Sequence, residues 1–222
     1  MQRSAEPELM DEEEQARAYA EADFSEPHGR FLSLFGEAFP DLEPAGIALD
    51  LGCGPADIAM RLVKAFPGWQ VHGLDGADAM LNHGRSAVRR AGLDARIQLI
   101  KGYLPGAVPP LAAYDAVISN SLLHHLADPA VLWDSVKRWG KPGAPVFVMD
   151  LLRPPSLAEA ARLVARHAAG EPEILRRDFH NSLLAAYRPE EIRAQLRKAG
   201  LAQLEVREAS DRHVVVSGRL PS

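Results

Sequence analysis

Apolar positions along this chain follow two patterns that alternate with each other. Short apolar runs, typical of buried strands, lie at 47–50, 69–74, 97–100, 114–119 and 145–151. Longer segments, typical of helices, lie at 56–66, 77–91, 129–139 and 189–199. Because such alternation is typical of strands joined by crossover helices, the pattern predicts an α/β domain.

The two ends of the chain depart from this alternation. A helix is predicted at 15–22, and a clearer one follows it and ends at Pro40. The apolar face of that second helix comprises Phe31, Leu34, Phe35, Ala38 and Phe39. Near the other end, 204–207 and 214–216 predict two strands separated by a polar turn. Residues 1–15 are acidic, and we interpret them as a solvated terminus with the acids Glu6, Glu8, Asp11, Glu12, Glu13 and Glu14.

The segment 153–188 is the least typical part of the chain. Ser156 can cap an alanine-rich helix that runs to about residue 169. The stretch 176–182 then concentrates charged and hydrogen-bonding groups, and we interpret it as part of a loop.

Composition narrows the class of protein. The chain has 222 residues, of which 47% are apolar, and this favours one folded domain. Its net charge is −5, and no run of lysine and arginine exceeds two residues, which argues against a nucleic-acid substrate. One cysteine excludes an internal disulfide and a cysteine-rich zinc site. With no apolar run long enough to span a membrane and no signal-peptide pattern, a cytoplasmic enzyme is expected.

The stretch 47–57, read as IALDLGCGPAD, predicts a strand, a tight glycine turn and a helix N-terminus. Gly52 and Gly54 lack the Cβ that would keep a ligand away from the main chain. Pro55 suits a first helical turn, where its missing N–H group is not needed. Polar groups of a ligand can therefore lie against main-chain N–H groups at the positive end of a helix.

Two acids flank this turn and indicate what kind of ligand it holds. Asp75 ends the second strand, twenty-one residues beyond Gly54, where a carboxylate can accept hydrogen bonds from ribose hydroxyls. Asp50 precedes the glycines, where it would repel a pyrophosphate but help to hold an ammonium group. The turn also lacks the third glycine of the dinucleotide fingerprint. The predicted ligand carries a ribose at one end and a cationic or zwitterionic group at the other.

These motifs together resemble the class I S-adenosylmethionine-dependent methyltransferases. The D-x-G-x-G motif of that family reads DLGCG at 50–54, and the likeness continues through Asp75 and the run YDAVISN at 114–120. The run LHHL at 123–126 resembles the small-molecule branch that includes the ubiquinone and menaquinone C-methyltransferases. The resemblance covers about 45–150 well and the remainder only by architecture.

The resemblance implies a Rossmann-like doubly wound sheet of seven strands with helices on both faces. The sheet is mostly parallel, with one antiparallel strand near the C-terminus. The implied activity is transfer of a methyl group from S-adenosyl-L-methionine to a small-molecule acceptor by in-line displacement, with S-adenosyl-L-homocysteine as the product. Residues 1–44 would form a helical cap over the active site of a methyltransferase domain at 45–222. A helical lid would be inserted at about 153–188.

The same resemblance assigns candidate site residues. Cofactor contacts are expected from Tyr19, Asp50, Gly52, Cys53, Gly54, Asp75, Gly76, Met80, Gly102, Tyr103, Leu104, Asn120, Ser121 and His125. Acceptor contacts are expected from Tyr19, His28, Arg153, His180 and Asn181. A base is needed only for a hydroxyl or an acidic carbon, and His124, His28 or His180 can then serve.

Several of these residues have a simpler interpretation or depart from the family. Tyr19 and Met80 can be packing residues, His28 can be an ordinary loop histidine, and Cys53 fits the turn as a small residue rather than a nucleophile. Tyr103 stands where many relatives have an aspartate that binds the adenine amino group, so stacking or main-chain contacts would replace it. The sequence predicts no zinc or iron site.

Two rival functions stay open. One is a binding module that holds S-adenosylmethionine or its demethylated product without turnover. The other is an NAD(P)-dependent oxidoreductase, against which the missing third glycine and Asp50 argue. The sequence leaves open whether the acceptor atom is O, N, C or S, and whether the protein is a monomer or a homodimer.

Overall fold

The short apolar runs form a seven-stranded sheet in the computed structural model, which describes residues 1–7 and 9–222. The strands are β1 (Ala45–Leu51), β2 (Gly68–Asp75), β3 (Ile97–Lys101), β4 (Ala116–Asn120), β5 (Pro145–Leu151), β6 (Glu205–Glu208) and β7 (His213–Arg219). Their order across the sheet is β3-β2-β1-β4-β5-β7-β6. Strands β1 to β5 pair in parallel, and β7 runs antiparallel to both of its neighbours. The prediction of a mostly parallel sheet with one antiparallel strand is confirmed.

Helices cover both faces of this sheet, as the doubly wound prediction requires. They are α1 (Glu13–Glu21), α2 (Ser25–Ala38), α3 (Asp57–Ala65), α4 (Asp78–Arg90), α5 (Ala130–Trp139), α6 (Leu157–His167), α7 (Glu173–Ala185) and α8 (Pro189–Ala199). Alternate residues of β1 enter two separate cores: Leu49 packs with helices α5 and α8, and Ala48 packs with α2, α3 and α4. This alternation follows from the two-residue period of a strand.

The register of the parallel strands gathers their carboxyl ends at one edge of the sheet. Leu51 of β1 pairs with Leu74 of β2 on one side and with Ser119 of β4 on the other. The chain therefore leaves β1, β2 and β4 close together, at the point where the strand order reverses. In open α/β sheets this is the place where ligands bind.

The polar stretch 176–182, interpreted from sequence as part of a loop, instead forms the middle of helix α7. Leu175, Phe179 and Leu183 recur every four residues and form a stripe on one side of this helix. The charged residues between them conceal that stripe in the sequence. Helix α2 also begins earlier than predicted, because His28 lies in its first turn rather than in the preceding loop.

Residues 1–7 and 9–11 lie at the carboxyl edge of the sheet and make long-range contacts. The Arg3 guanidinium donates to the carbonyl oxygen of His124 at 2.8 Å, and the Asp11 carboxylate accepts from the Ala79 amide at 3.0 Å. The predicted solvated terminus is therefore wrong for this stretch, although the acids at 12–14 are exposed. Glu8, one of the predicted acids, lies outside the described residues. No helix in the described part of the chain is both long enough and apolar enough to cross a membrane.

Candidate functional site

A cavity of about 790 Å³ opens at the carboxyl edge of the sheet. Its base is formed by the glycine turn after β1 and by the loops that follow β2, β3 and β4, and its cover comes from α1, α2 and α7. The predicted site residues that line it are Tyr19, His28, Asp50, Gly52, Cys53, Gly54, Asp75, Gly76, Met80, Gly102, Tyr103, Leu104, Asn120, Ser121, His124 and His125. The fold therefore gathers every predicted cofactor residue around one space.

The glycine turn adopts the left-handed backbone that its sequence suggests. Gly52 has φ +71° and Gly54 has φ +51°, and the Gly52 amide donates to the Leu74 carbonyl oxygen at 2.8 Å. A Cβ at Gly52 would lie 2.9 Å from the Leu122 side chain, whereas a Cβ at Gly54 would meet nothing within 4 Å. Glycine is thus favoured at position 52 by the left-handed backbone and by the lack of room for a Cβ. At position 54 it is favoured by the left-handed backbone alone.

Asp75 joins this turn to the end of β2. One carboxylate oxygen accepts from the Gly54 amide at 2.8 Å, and the other accepts from the Ala77 amide at 2.8 Å. Burial raises the pKa of Asp75, and the N–H groups of Ala77 and Gly54 oppose that rise. Each carboxylate oxygen keeps a further lone pair, so Asp75 can still accept from ribose hydroxyls.

Asp50 is buried at the end of β1 with an unsatisfied carboxylate. The residue is 1% exposed, and its Oδ2 atom has no hydrogen-bond partner among the residues that the structure describes. Burial, with a smaller effect from the charge of Asp75, raises the pKa of Asp50 to about 8. A lone buried carboxylate beside a cavity is stabilised by a cationic group, so this position fits the ammonium of a bound amino acid.

His28 and Asp57 form a close pair on the wall of the cavity. The His28 Nδ1 atom lies 2.5 Å from Asp57 Oδ2, and Arg61 donates to the same oxygen at 2.7 Å. Burial would raise the pKa of Asp57, but these two partners outweigh it and hold the pKa below its ordinary value. Sequence reasoning did not assign Asp57. Its place in the first turn of α3, directly after the glycine turn, was the available signal.

His124 belongs to a second pair, with Asp150 of β5. The His124 Nδ1 atom lies 2.5 Å from Asp150 Oδ1, and the Leu123 amide donates to Asp150 Oδ2 at 2.7 Å. Burial would lower the pKa of His124, but the Asp150 carboxylate outweighs it and raises that pKa. Sequence reasoning also missed Asp150, although one acid inside the apolar run at 145–151 has to be paired when buried.

The predicted aromatic and methionine contacts lie at the cofactor end of the cavity. The Tyr19 and Phe24 rings lie 4.6 Å apart, and burial raises the pKa of Tyr19 to about 12, so its phenol stays protonated. Met80 packs with Ala16 and Tyr19 and also lines the cavity, so it is a packing residue and its contact with the adenine stays a prediction. Tyr103 is 49% exposed at the rim.

Three predicted acceptor residues do not line the cavity. Arg153 is buried elsewhere, where its guanidinium lies 2.5 Å from the Glu191 carboxylate and donates to the Ala186 carbonyl oxygen. His180 and Asn181 lie on α7 but point away from the cavity. The side of α7 that lines it carries Leu175, Asp178, Phe179 and Ser182, at the spacing of one helical face. These four residues were not predicted from the sequence.

Known proteins share sequence with this chain across the glycine turn and beyond. Residues 49–146 match a family model described as a methyltransferase domain. A ubiquinone biosynthesis O-methyltransferase from Xanthomonas axonopodis pv. citri is 30% identical over 167 residues, which are 74% of this chain and 66% of that protein. A trans-aconitate 2-methyltransferase from Methylobacterium radiotolerans is 33% identical over 134 residues, 59% of this chain and 47% of that protein. The chain thus spans slightly under two thirds of the first relative and about half of the second.

Solved structures share the fold over nearly the whole chain. A SAM dependent methyltransferase from Aquifex aeolicus superposes with a TM-score of 0.66 at 18% identity, covering 94% of this chain and 98% of that one. The plantazolicin methyltransferase BpumL, in complex with a triazolic desmethylPZN analog and SAH, superposes with a TM-score of 0.73 at 11% identity, covering 94% of this chain and 92% of that one. The shared sequence identifies a methyltransferase domain in this chain, and the shared fold is that of the S-adenosylmethionine-dependent methyltransferases.

Proposed function

We propose that this protein transfers a methyl group from S-adenosylmethionine to an oxygen atom of a small-molecule acceptor. The observation that carries the proposal is the buried Oδ2 atom of Asp50, which has no hydrogen-bond partner among the described residues and lies beside a glycine turn that Asp75 closes. A buried acid in that place calls for a cation, and a pyrophosphate would be repelled there. Oxygen is favoured as the acceptor atom because the similar protein from Xanthomonas axonopodis pv. citri is named as an O-methyltransferase.

The residues that would hold the cofactor follow from their chemistry. Asp50 would pair with the ammonium group, the main chain at 52–54 would lie against the methionine part, and Asp75 would accept from the ribose. Met80 and Tyr103 offer apolar surface for the adenine. Bound S-adenosylmethionine supplies a methyl group on a sulfonium, which a well-oriented acceptor atom displaces in line.

His28 is our choice for the group that removes the acceptor proton. Its Nδ1 atom is held by Asp57 at 2.5 Å, and this contact fixes the ring and leaves Nε2 as the nitrogen that can take a proton. His124 is less suited, since Asp150 lies at one of its nitrogens and the Glu6 carboxylate, 3.4 Å away, faces the other. His180 lies outside the cavity and has no part in this scheme.

The cap and lid expected from the sequence belong to the same proposal. Residues of 1–44 that line the cavity include Tyr19, Phe24 and His28, and residues of 153–188 that line it include Leu175 and Phe179. Their mixture of aromatic and aliphatic surface suits a planar, partly apolar acceptor. Closure by these two segments would exclude water from the reacting atoms. The full cavity falls in the usual range for small-molecule sites, about 300–1,000 Å³.

Calorimetry with S-adenosylhomocysteine, followed by turnover with labelled S-adenosylmethionine and a panel of phenols and carboxylic acids, tests this proposal. We expect the protein to bind both S-adenosylhomocysteine and S-adenosylmethionine. With at least one oxygen acceptor it should also release S-adenosylhomocysteine as a product. Binding without product across the whole panel would favour the rival binding module. Uptake of a nicotinamide dinucleotide instead of S-adenosylhomocysteine would overturn the proposal.

A further inference from the structure

Glu6 reaches the two histidines that follow β4. Its Oε1 atom lies 3.4 Å from His124 Nε2 and 3.4 Å from His125 Nδ1. The segment that carries it is fixed by a hydrogen bond from the Ser4 amide to the Leu184 carbonyl oxygen at 3.0 Å. The three ligand atoms lie within 4.8 Å of one another, and both histidines line the cavity. One carboxylate oxygen and two imidazole nitrogens thus converge on one point.

The distances from Glu6 to the histidines are too long for ordinary hydrogen bonds. An N–H···O bond spans about 2.7–3.2 Å between heavy atoms. Ligands around a tetrahedral zinc ion, with bonds of about 2.0–2.2 Å, are instead separated by about 3.3–3.6 Å. The Glu6 side chain is only 10% exposed, and its Oε1 atom has no hydrogen-bond partner among the residues that the structure describes. An ion among these atoms would satisfy it.

A supporting carboxylate stands behind His124. Asp150 contacts the Nδ1 atom of that ring at 2.5 Å and is itself held by the amides of Leu123 and Leu151. A carboxylate on the far nitrogen of a histidine is the usual arrangement around a metal-binding imidazole, because it fixes the tautomer and strengthens the other nitrogen as a ligand. The His124 Nε2 atom is therefore directed toward Glu6 as a ligand.

His125 requires one adjustment. Its Nδ1 atom lies 3.1 Å from the Pro7 carbonyl oxygen, which is the contact of a protonated nitrogen. Ion binding moves that proton to Nε2 and leaves the lone pair of Nδ1 for the ion.

We propose that Glu6, His124 and His125 bind a divalent transition-metal ion of the zinc class. Two imidazoles and one carboxylate leave a coordination position open toward the cavity, as in sites where a metal contacts a substrate. The chemistry that fits this position is an acceptor oxygen, from a phenol or a carboxylate. That last assignment rests on the proposed function, whereas metal binding itself does not. Sequence spacing predicted no metal site, because Glu6 is 118 residues from His124.

Cobalt titration of the full-length protein, stripped with a chelator, tests the site. We expect one equivalent of Co²⁺, with the visible absorption of a low-symmetry site, and displacement of that ion by Zn²⁺. Glu6→Gln and His125→Phe each remove one ligand and should weaken binding by about 10–100-fold or more. His180→Gln is the matched control, because it removes a histidine outside the cavity and should bind cobalt like the parent chain.

The outcomes separate this inference from the proposed function. Absence of stoichiometric cobalt binding, or equal binding by Glu6→Gln and the parent chain, would overturn the metal site. An equal loss in His180→Gln would also overturn it. Calorimetry with S-adenosylhomocysteine on the same samples reports on the fold and on the cofactor site. Cobalt uptake without S-adenosylhomocysteine binding would leave the metal site standing and remove the proposed function.

Discussion

The Asp75 carboxylate accepts a hydrogen bond from the Gly54 amide at 2.8 Å, so the acid after β2 and the glycine turn after β1 form one unit. The sequence presents them as two separate ligand-binding features, twenty-one residues apart. Their contact means that Asp75 holds the conformation of the turn, in addition to the role toward the cofactor that we propose for it.

Asp75→Ala should weaken binding of S-adenosylhomocysteine by about 1–3 kcal/mol, through lost ribose hydrogen bonds. The freed Gly54 amide adds to this loss, because the turn loses its anchor. Calorimetry measures the change. Asp134→Ala, which removes an exposed acid of α5 that pairs with Lys137, is the control and should leave affinity unchanged. Equal affinity of Asp75→Ala and the parent chain would contradict the assignment.

Binding of S-adenosylhomocysteine at neutral pH should release a proton from Asp50. The pKa of this carboxyl is about 8 in the free protein, so most of it is protonated at pH 7. A cationic ammonium beside it favours the ionised form and lowers the pKa. Calorimetry in two buffers of different ionisation enthalpy counts the protons. Asp50→Asn should bind more weakly and release none, and an unaltered proton count in that variant would refute the placement.

Asp50 should also make the ligand-free protein less stable as pH rises from about 4 to 8. Its pKa of about 8 in the folded chain exceeds the value of about 3.9 for an unfolded aspartate. The folded state therefore holds more protons in this window, and its free energy of unfolding falls as pH rises. Urea unfolding at several pH values measures the slope. The free energy of unfolding of Asp50→Asn should change less steeply with pH than that of the parent chain. An equal dependence on pH in the two proteins would argue against a buried neutral carboxyl.

His28→Gln should slow methyl transfer to a hydroxyl acceptor by about 10²–10⁴-fold, the usual contribution of a general base. Asp57→Asn should slow it less, because the ring loses its orientation but keeps its nitrogen. Both variants should bind S-adenosylhomocysteine like the parent chain, and His180→Gln should retain full turnover. Rates come from single-turnover assays with labelled cofactor. Full activity in His28→Gln would move the role to another group or show that no base is used.

Gly52→Ala should destabilise the fold more than Gly54→Ala. Both positions have a left-handed backbone, which costs a residue with a Cβ about 1–2 kcal/mol. The new Cβ at position 52 also lies 2.9 Å from Leu122, and such overpacking adds about 1–3 kcal/mol. Thermal and urea unfolding rank the two variants. The reverse order would mean that Leu122 moves aside without cost.

Much of the fold follows from local sequence, because apolar residues recur along each strand and helix with the period of that element. Strand β5 and helix α8 have the predicted bounds, and Gly200, with φ +75°, ends α8 as a C-cap. The glycine turn could also be predicted, since a left-handed backbone favours glycine. Residue types and spacing therefore predicted which residues line the cavity beside this turn, and their contacts with the cofactor stay a prediction.

The acceptor half could not be placed in this way. The partners of His28 and His124 come from α3 and β5, and Glu6 comes from the beginning of the chain. Such pairs depend on how distant segments meet, which no local period encodes. Arg153 was predicted to contact the acceptor because of its charge. In the fold, that charge is instead neutralised by Glu191 of α8, a partner that the sequence also did not predict.

The reversed strand β7 also constrains how the protein is made. It lies between β5 and β6 and hydrogen-bonds to both, so before it forms β5 has an open edge and β6 has no partner. On the ribosome, the sheet stays incomplete until residues 213–219 have emerged, and a nascent chain halted earlier presents an unpaired β5 edge to its neighbours. Synthesis of this last strand therefore sets the moment at which the β5 edge of the newborn polypeptide is covered.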